Sequence, residues 1–236
     1  MVGLCGSMFA AYAAYQWYMA PVALETASSL AGAAQAAALP PGDVPPSIRL
    51  EPSTSLLDGF PESLTIDDGQ RKVTVQYTGK LLRKRSLVLV PVNVYEIAGY
   101  IETPAVGQSE MLLENMMAEG SAKLYLLRFL MPLPGRAILN DIHESIVASF
   151  GDVDMAKVEA DINRFCKQFG RGSSRGDIVY IAWLSGGRVY SGFQTPNEAT
   201  LVAKDVDLAR AIWRIWAGPE SENRVNLVER FRQSPQ

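Results

Sequence analysis

The stretch "GDIVYIAWLSGGRVYSGF" (176–193) most narrows the folds open to this chain. Two runs rich in β-branched and aromatic residues meet at Gly186-Gly187. Paired glycines between such runs mark a tight hairpin, because both turn residues need positive φ. A second stretch, "RKVTVQYTG" (71–79), alternates cleanly, with Val73, Val75 and Tyr77 on one side and Lys72, Thr74 and Gln76 on the other. That period of two is a strand with one wet face. Residues 86–101 read as a longer, mostly apolar strand, in which Pro91 suggests an edge position or a bulge. "AKLYLLRFLM" (122–131) reads as a buried strand.

The remaining patterns are helical. "GQSEMLLENMMAEG" (107–120) offers Ser109 as N-cap and Gly120 as a stop. After Pro132 and Pro134, Leu139, Ile142, Ile146 and Phe150 recur on one helical face, and after Asp154 so do Val158, Ile162, Phe165 and Phe169. "DVDLARAIWRIWAG" predicts a largely buried helix ending at Gly218, with Trp213 and Trp216 as core. Pro219 then opens a last amphipathic helix carrying Val225, Leu227, Val228 and Phe231. Neighbouring strands are joined by hairpins, not by regular βαβ crossovers. The order therefore predicts an α+β fold, a large antiparallel sheet with a layer of helices on one face.

Composition closes off several function classes. With 236 residues, 48% of them hydrophobic, the chain can bury a real core. A net charge of −3 gives no basic stripe for nucleic acid, so no nucleic-acid partner is expected. One histidine, His143, and two distant cysteines, Cys5 and Cys166, supply neither a disulfide framework nor a metal-ligand set. No metal and no cofactor are expected. The loop "GRGSS" (170–174) lacks the lysine and the following helix of a phosphate loop and reads as a turn.

Residues 1–24 carry no charge, and the first basic residue is Arg49. Ala34-Gln35-Ala36 is a small-x-small cleavage pattern. Residues 1–36 are thus expected to be a signal peptide or membrane anchor, 37–59 a Pro-rich linker, and 60–233 the folded domain. The expected location is outside the cytoplasm, periplasmic or extracellular, with membrane contact only through the N-terminal segment (residues 1–24) if it stays uncleaved.

The cations Arg83, Lys84 and Arg85 directly precede the apolar run that carries Tyr95 and Tyr100. A guanidinium at the mouth of an apolar strand is costly to bury unless it is paired or offered to an anion. The other reading is a solvated strand end.

Several segments together, in their order and spacing, resemble the chalcone isomerase-like proteins. They are "FPESLTIDDG" with "VTVQYTGKLLRKR", "VNVYEIAGYI", "RFLMPLPGRAILNDIHESIVASF" and "AIWRIWAGPES". The likeness runs from about Phe60 to Phe231 and covers none of the first 59 residues. That family includes plant chalcone isomerases, plant fatty-acid-binding relatives and bacterial proteins, and this chain resembles the bacterial type. The resemblance implies a ligand cleft between sheet and helices, with Arg83 positioned to polarise a substrate. Where the enzymes carry polar groups, this sequence has Tyr95 for threonine, Ile138 for tyrosine, Ser145 for asparagine and Ile215 for a threonine or serine. Arg83 with Tyr95 instead resembles the fatty-acid-binding branch, in which such a pair holds a carboxylate. The expected ligand-binding residues are Arg83, Tyr95, Ile138, Ser145 and Ile215, and the expected ligand is a fatty acid or similar small amphipathic anion. No catalytic residue is expected, Arg83 excepted if the protein is an isomerase (an intramolecular lyase). A structural or interaction module with a closed cleft is the third reading.

Overall fold

A computed structural model describes residues 47–51, 59–69, 71–87, 90–102, 109–150, 155–194, 199–221 and 224–232. Residues 45–83 with 94–236 form one compact unit, in which the core and the site lie. The signal or anchor expected at 1–36 lies outside the described residues.

Eight antiparallel strands run in chain order: β1 (Ser47–Glu51), β2 (Ser63–Asp67), β3 (Lys72–Leu87), β4 (Val90–Glu102), β5 (Lys123–Phe129), β6 (Ile178–Leu184), β7 (Arg188–Phe193) and β8 (Ala199–Lys204). β1 pairs with β2 and also with β8, through Ser47 opposite Thr200 and Ile48 opposite Ala199, so the sheet closes on itself. Closure removes the exposed edges on which another chain could pair. The helices are α1 (Ser109–Met117), α2 (Gly135–Phe150), α3 (Met155–Lys167), α4 (Val206–Ala217) and the short α5 (Glu229–Arg232). Gly186 and Gly187 have φ of 75° and 67°, the conformation that the β6–β7 hairpin requires. Asp205 caps α4 by accepting from the Leu208 N–H at 2.8 Å.

The pleat gives the sheet two apolar faces. The inner face is built from Leu64, Val73, Val75, Tyr100, Leu124, Leu126, Tyr180 and Tyr190, with their neighbours, in one buried cluster. The outer face packs on the helices. Trp213 of α4 stacks on Tyr125 of β5 with ring centroids 4.7 Å apart, and meets Trp183 of β6 edge-on. The segment after α4 approaches more closely still. Thr78 donates its hydroxyl to the Leu227 carbonyl at 2.6 Å. A Cβ added at Gly79 would run into the Asn226 carbonyl and stand 2.7 Å from Leu227 C.

Four expectations are corrected. Ser47–Glu51, inside the stretch expected to be a linker, is strand β1. Five residues of ordinary polarity carry too short a pattern to announce themselves beside prolines. The cationic triplet does not open the apolar strand but lies near the end of the preceding one, β3. β4 is not an edge strand, since it lies between β3 and β5, and the exposed Pro91 is only its second residue. Proline is tolerated at a strand start. Finally, the last amphipathic helix is a 3₁₀ turn (Arg224–Val228) leading into α5, because Leu227 and Val228 must bury while the Leu227 carbonyl reaches Thr78. The α2 stripe begins at the buried Ile138, one residue before Leu139. His143 is exposed on α2.

Lys123 is fully buried. It donates to the Ala118 and Ser121 carbonyls just past α1, and its ammonium lies 4.1 Å from the Trp183 ring centroid. Burial pushes its pKa down to about 8.

Gly79→Ala is expected to lower unfolding free energy by about 1–3 kcal/mol, because the backbone at Asn226 and Leu227 must retreat. Gly170→Ala, where a Cβ meets nothing within 4 Å, should leave the urea midpoint almost unchanged. Lys123 sets a pH dependence. The unfolded chain holds that proton up to the ordinary value of 10.5, whereas the folded protein releases it near 8. Between those values the unfolded state binds more protons, so stability rises with pH. A urea midpoint that climbs from pH 8 toward roughly pH 9, and that stays nearly flat over that interval in Lys123→Met, is the expected result. Above that range the buried Cys166 thiol, which burial pushes from 9.0 up to about 12, and then Tyr100 and Tyr125, whose pKa values burial also raises, act in the opposite direction, because they ionise first in the unfolded chain.

Candidate functional site

The direction in which Arg83 points follows from the pleat. Val73 and Val75 face the inner cluster, but the alternation of β3 slips by one beyond Tyr77: the adjacent Thr78 and Gly79 both approach Leu227, and Lys80 bonds Glu96 on the other side. Beyond that point side chains alternate again. Leu81 is accordingly buried, Leu82 is 38% exposed, Arg83 is half-buried and Lys84 is exposed. Arg83 therefore shares the helix-covered face with Gly79 and Leu81. On β4 the same face is marked by Gly99, where an added Cβ would meet Met116 of α1 at 2.9 Å and Leu227 O at 3.6 Å. Ile97 and Tyr95 follow on it at steps of two, and both are buried. The opposite face carries a different set. Glu96 binds Lys80 at 3.1 Å and is also paired with Arg128, whose guanidinium lies over Phe60. Burial alone would raise the Glu96 pKa, but these two cations hold its carboxyl below the usual range.

Tyr95 is 8% exposed and stands opposite Phe129 in the β4–β5 register. The two rings meet edge-on at 5.9 Å. The buried Trp216 of α4 donates its indole N–H to the Tyr95 hydroxyl at 3.0 Å. This bond joins strand to helix across 121 positions of sequence. Arg83 differs from Tyr95 in kind: its Nε is sealed from solvent and has no hydrogen-bond partner among the described residues. An N–H of a cation in that state is costly unless an acceptor reaches it.

The other three residues come from the helices. Ile138 and Ser145 lie seven residues apart on α2, two turns along one face, with Ile138 buried and Ser145 half-buried. The Ser145 hydroxyl donates to the Asp141 carbonyl of its own helix at 2.7 Å, a local bond that spends its donor. Ile215, half-buried on α4, is the residue before Trp216. α2 and α4 pack together, and Arg214 donates to the Ser149 carbonyl at 3.2 Å. The fold thus brings Arg83 and Tyr95 onto one face of the sheet and ties Tyr95 to the helix bearing Ile215.

Trp216, expected as core from the sequence, is buried but also engages Tyr95. The available signal is chemical: a buried indole needs an acceptor for its N–H. Among the described residues no group of three or more His, Cys, Asp or Glu could hold a metal ion, and no helix is long and apolar enough to cross a membrane.

Solved structures that resemble this one include the crystal structure of an Arabidopsis thaliana fatty-acid binding protein. The two match with a TM-score of 0.54 at 17% sequence identity, over 66% of this chain and 86% of that one. At that identity the likeness shows the fold: the chalcone isomerase-like α+β fold, a large antiparallel sheet with helices packed on it. No protein-family model and no curated protein matches the chain.

Tyr95→Phe removes the acceptor of the Trp216 N–H and is expected to cost about 1–3 kcal/mol in urea unfolding. Combining it with Trp216→Phe should give a coupling energy of roughly 1 kcal/mol. Strict additivity of the two substitutions would mean that the bond holds nothing.

Proposed function

We propose that this protein is a non-catalytic binder of a small amphipathic anion, a fatty acid or a molecule like one. Arg83 takes the negative end, Tyr95 assists, and Ile138, Ser145 and Ile215 line the apolar part of the cleft. One observation carries this reading: the Arg83 Nε is buried on the helix-covered face of β3 and has no partner among the described residues. A guanidinium presents paired N–H donors to a carboxylate in a charge-assisted, bidentate geometry. A carboxylate arriving there would satisfy the donor and neutralise the charge together. The aliphatic character of Ile138 and Ile215 suits an acyl tail better than a polyphenol. Likeness of fold to a protein described as fatty-acid binding supports the same reading.

An isomerase would ask more of these positions. A developing oxyanion or an attacking water needs several preorganised donors. Two of the five positions are isoleucine, and Ser145 gives its hydroxyl to Asp141. The reading of residues 1–36 as an export signal, which would put the binder outside the cytoplasm, rests on their sequence alone.

The test is solvent extraction of the purified protein followed by mass spectrometry of what it carries. Wild type should release a fatty acid or another amphipathic anion, and Arg83→Ala roughly tenfold less. Equal recovery from both proteins removes the head-group role. Turnover of a chalcone far above the solvent rate would overturn the non-catalytic reading.

A further inference from the structure

Seven side-chain polar atoms among the described residues are buried without a hydrogen-bond partner. Native proteins tolerate few of these, and each costs about 1–3 kcal/mol when nothing meets it. Four of the seven are gathered on the helix-covered face of the sheet or on the helix above it: Arg83 Nε, the Tyr125 hydroxyl, Ser191 Oγ and Trp213 Nε1. The last three form a group of their own. Tyr125 is directly opposite Ile181, and Ile181 opposite Ser191, so all three residues share one face of β5, β6 and β7. Trp213 lies over that face, stacked on Tyr125 with an interplanar angle of 19°. Tyr125 and Trp213 are fully buried, and Ser191 is 1% exposed.

The chemistry of the three groups selects their partner. An indole N–H only donates, while phenol and serine hydroxyls both donate and accept. An oxygen that accepts, and can also donate, suits each of the three. Tyr125 pairs with Gly99, four residues along β4 from Tyr95 on the same face. That places the group about 13 Å along the strand from the Tyr95 end. A guest whose carboxylate sits at Arg83 would bring the middle of its chain there.

We infer that Tyr125, Ser191 and Trp213 form a second polar station in the same cleft, which takes an oxygen carried in the middle of the ligand's chain. The preferred guest is thus a hydroxy- or oxo-substituted fatty acid, not the plain acid; this rests on Arg83 as the head-group anchor. The experiment is a titration, read by tryptophan fluorescence and calorimetry, of the full chain with stearic acid, a panel of mid-chain hydroxystearic acids and their keto counterparts. At least one mid-chain isomer should bind roughly tenfold more tightly than stearic acid. That gain should vanish in Ser191→Ala and in Tyr125→Phe, while affinity for stearic acid persists. Arg83→Ala should weaken every acid alike. Equal affinity of stearic acid and all its oxygenated forms, as when water alone occupies the station, overturns this inference and leaves the head-group reading standing. Failure of every acid to bind overturns both.

Discussion

The pleat of β3 and β4, locked against the backbone at Leu227, is the constraint on which the site depends. Gly79 and Gly99 have no side chains to hold that segment away, and Thr78 pins it by a hydrogen bond to the Leu227 carbonyl. The adjacent Thr78 and Gly79 both meet that segment, so the alternation of β3 slips by one there, and beyond the slip it leaves no freedom. Leu81 and Arg83 on β3, and Ile97 and Tyr95 on β4, must face the same way. A register shift of one residue would send Arg83 to the other face, where Lys80, Glu96 and Arg128 already form a paired set.

That division of labour gives the two faces of the sheet different characters. On the inner face the charges neutralise one another at the edge of an apolar core, and Tyr100 donates to the Pro61 carbonyl at 3.0 Å. On the outer face the aromatic residues of β4, β5 and β6 meet those of α4 in one continuous layer from Phe129 through Tyr95, Trp216, Tyr125 and Trp213 to Trp183. Aromatic side chains supply large buried area and keep polar tips that want partners. Four of the seven unmet polar atoms among the described residues lie on this face or on the helix above it, two of them, on Tyr125 and Trp213, in the aromatic layer itself.

Much of the fold could be read from pattern. The hairpin at Gly186-Gly187, the alternation of β3, the buried run of β5 and the stripes of α2, α3 and α4 are local, periodic signals, and each corresponds to an element of the structure. The elements that escaped are short. β1, β2 and β8 have five or six residues each, and they hold their places by pairing with distant strands rather than by any period of their own. The C-terminal segment misled for a related reason: its apolar spacing suits a helix, but a tertiary contact with Thr78 takes the Leu227 carbonyl that a continued helix would have used.

By itself the sequence determined the class of fold and the identity of a cation beside an apolar strand, because strand alternation, helical stripes and turn glycines are properties of neighbours along the chain. It left open whether Arg83 faces water or the interior. Only the tertiary structure decided that, since the answer depends on the approach of residues 226–227 to Gly79, about 150 positions away, and facing is a parity that a contact sets and composition does not. The bond from Trp216 to Tyr95, and the clustering of Tyr125, Ser191 and Trp213, belong to the same category. They arise where one helix is laid across several strands, and no window of sequence contains both sides of that contact.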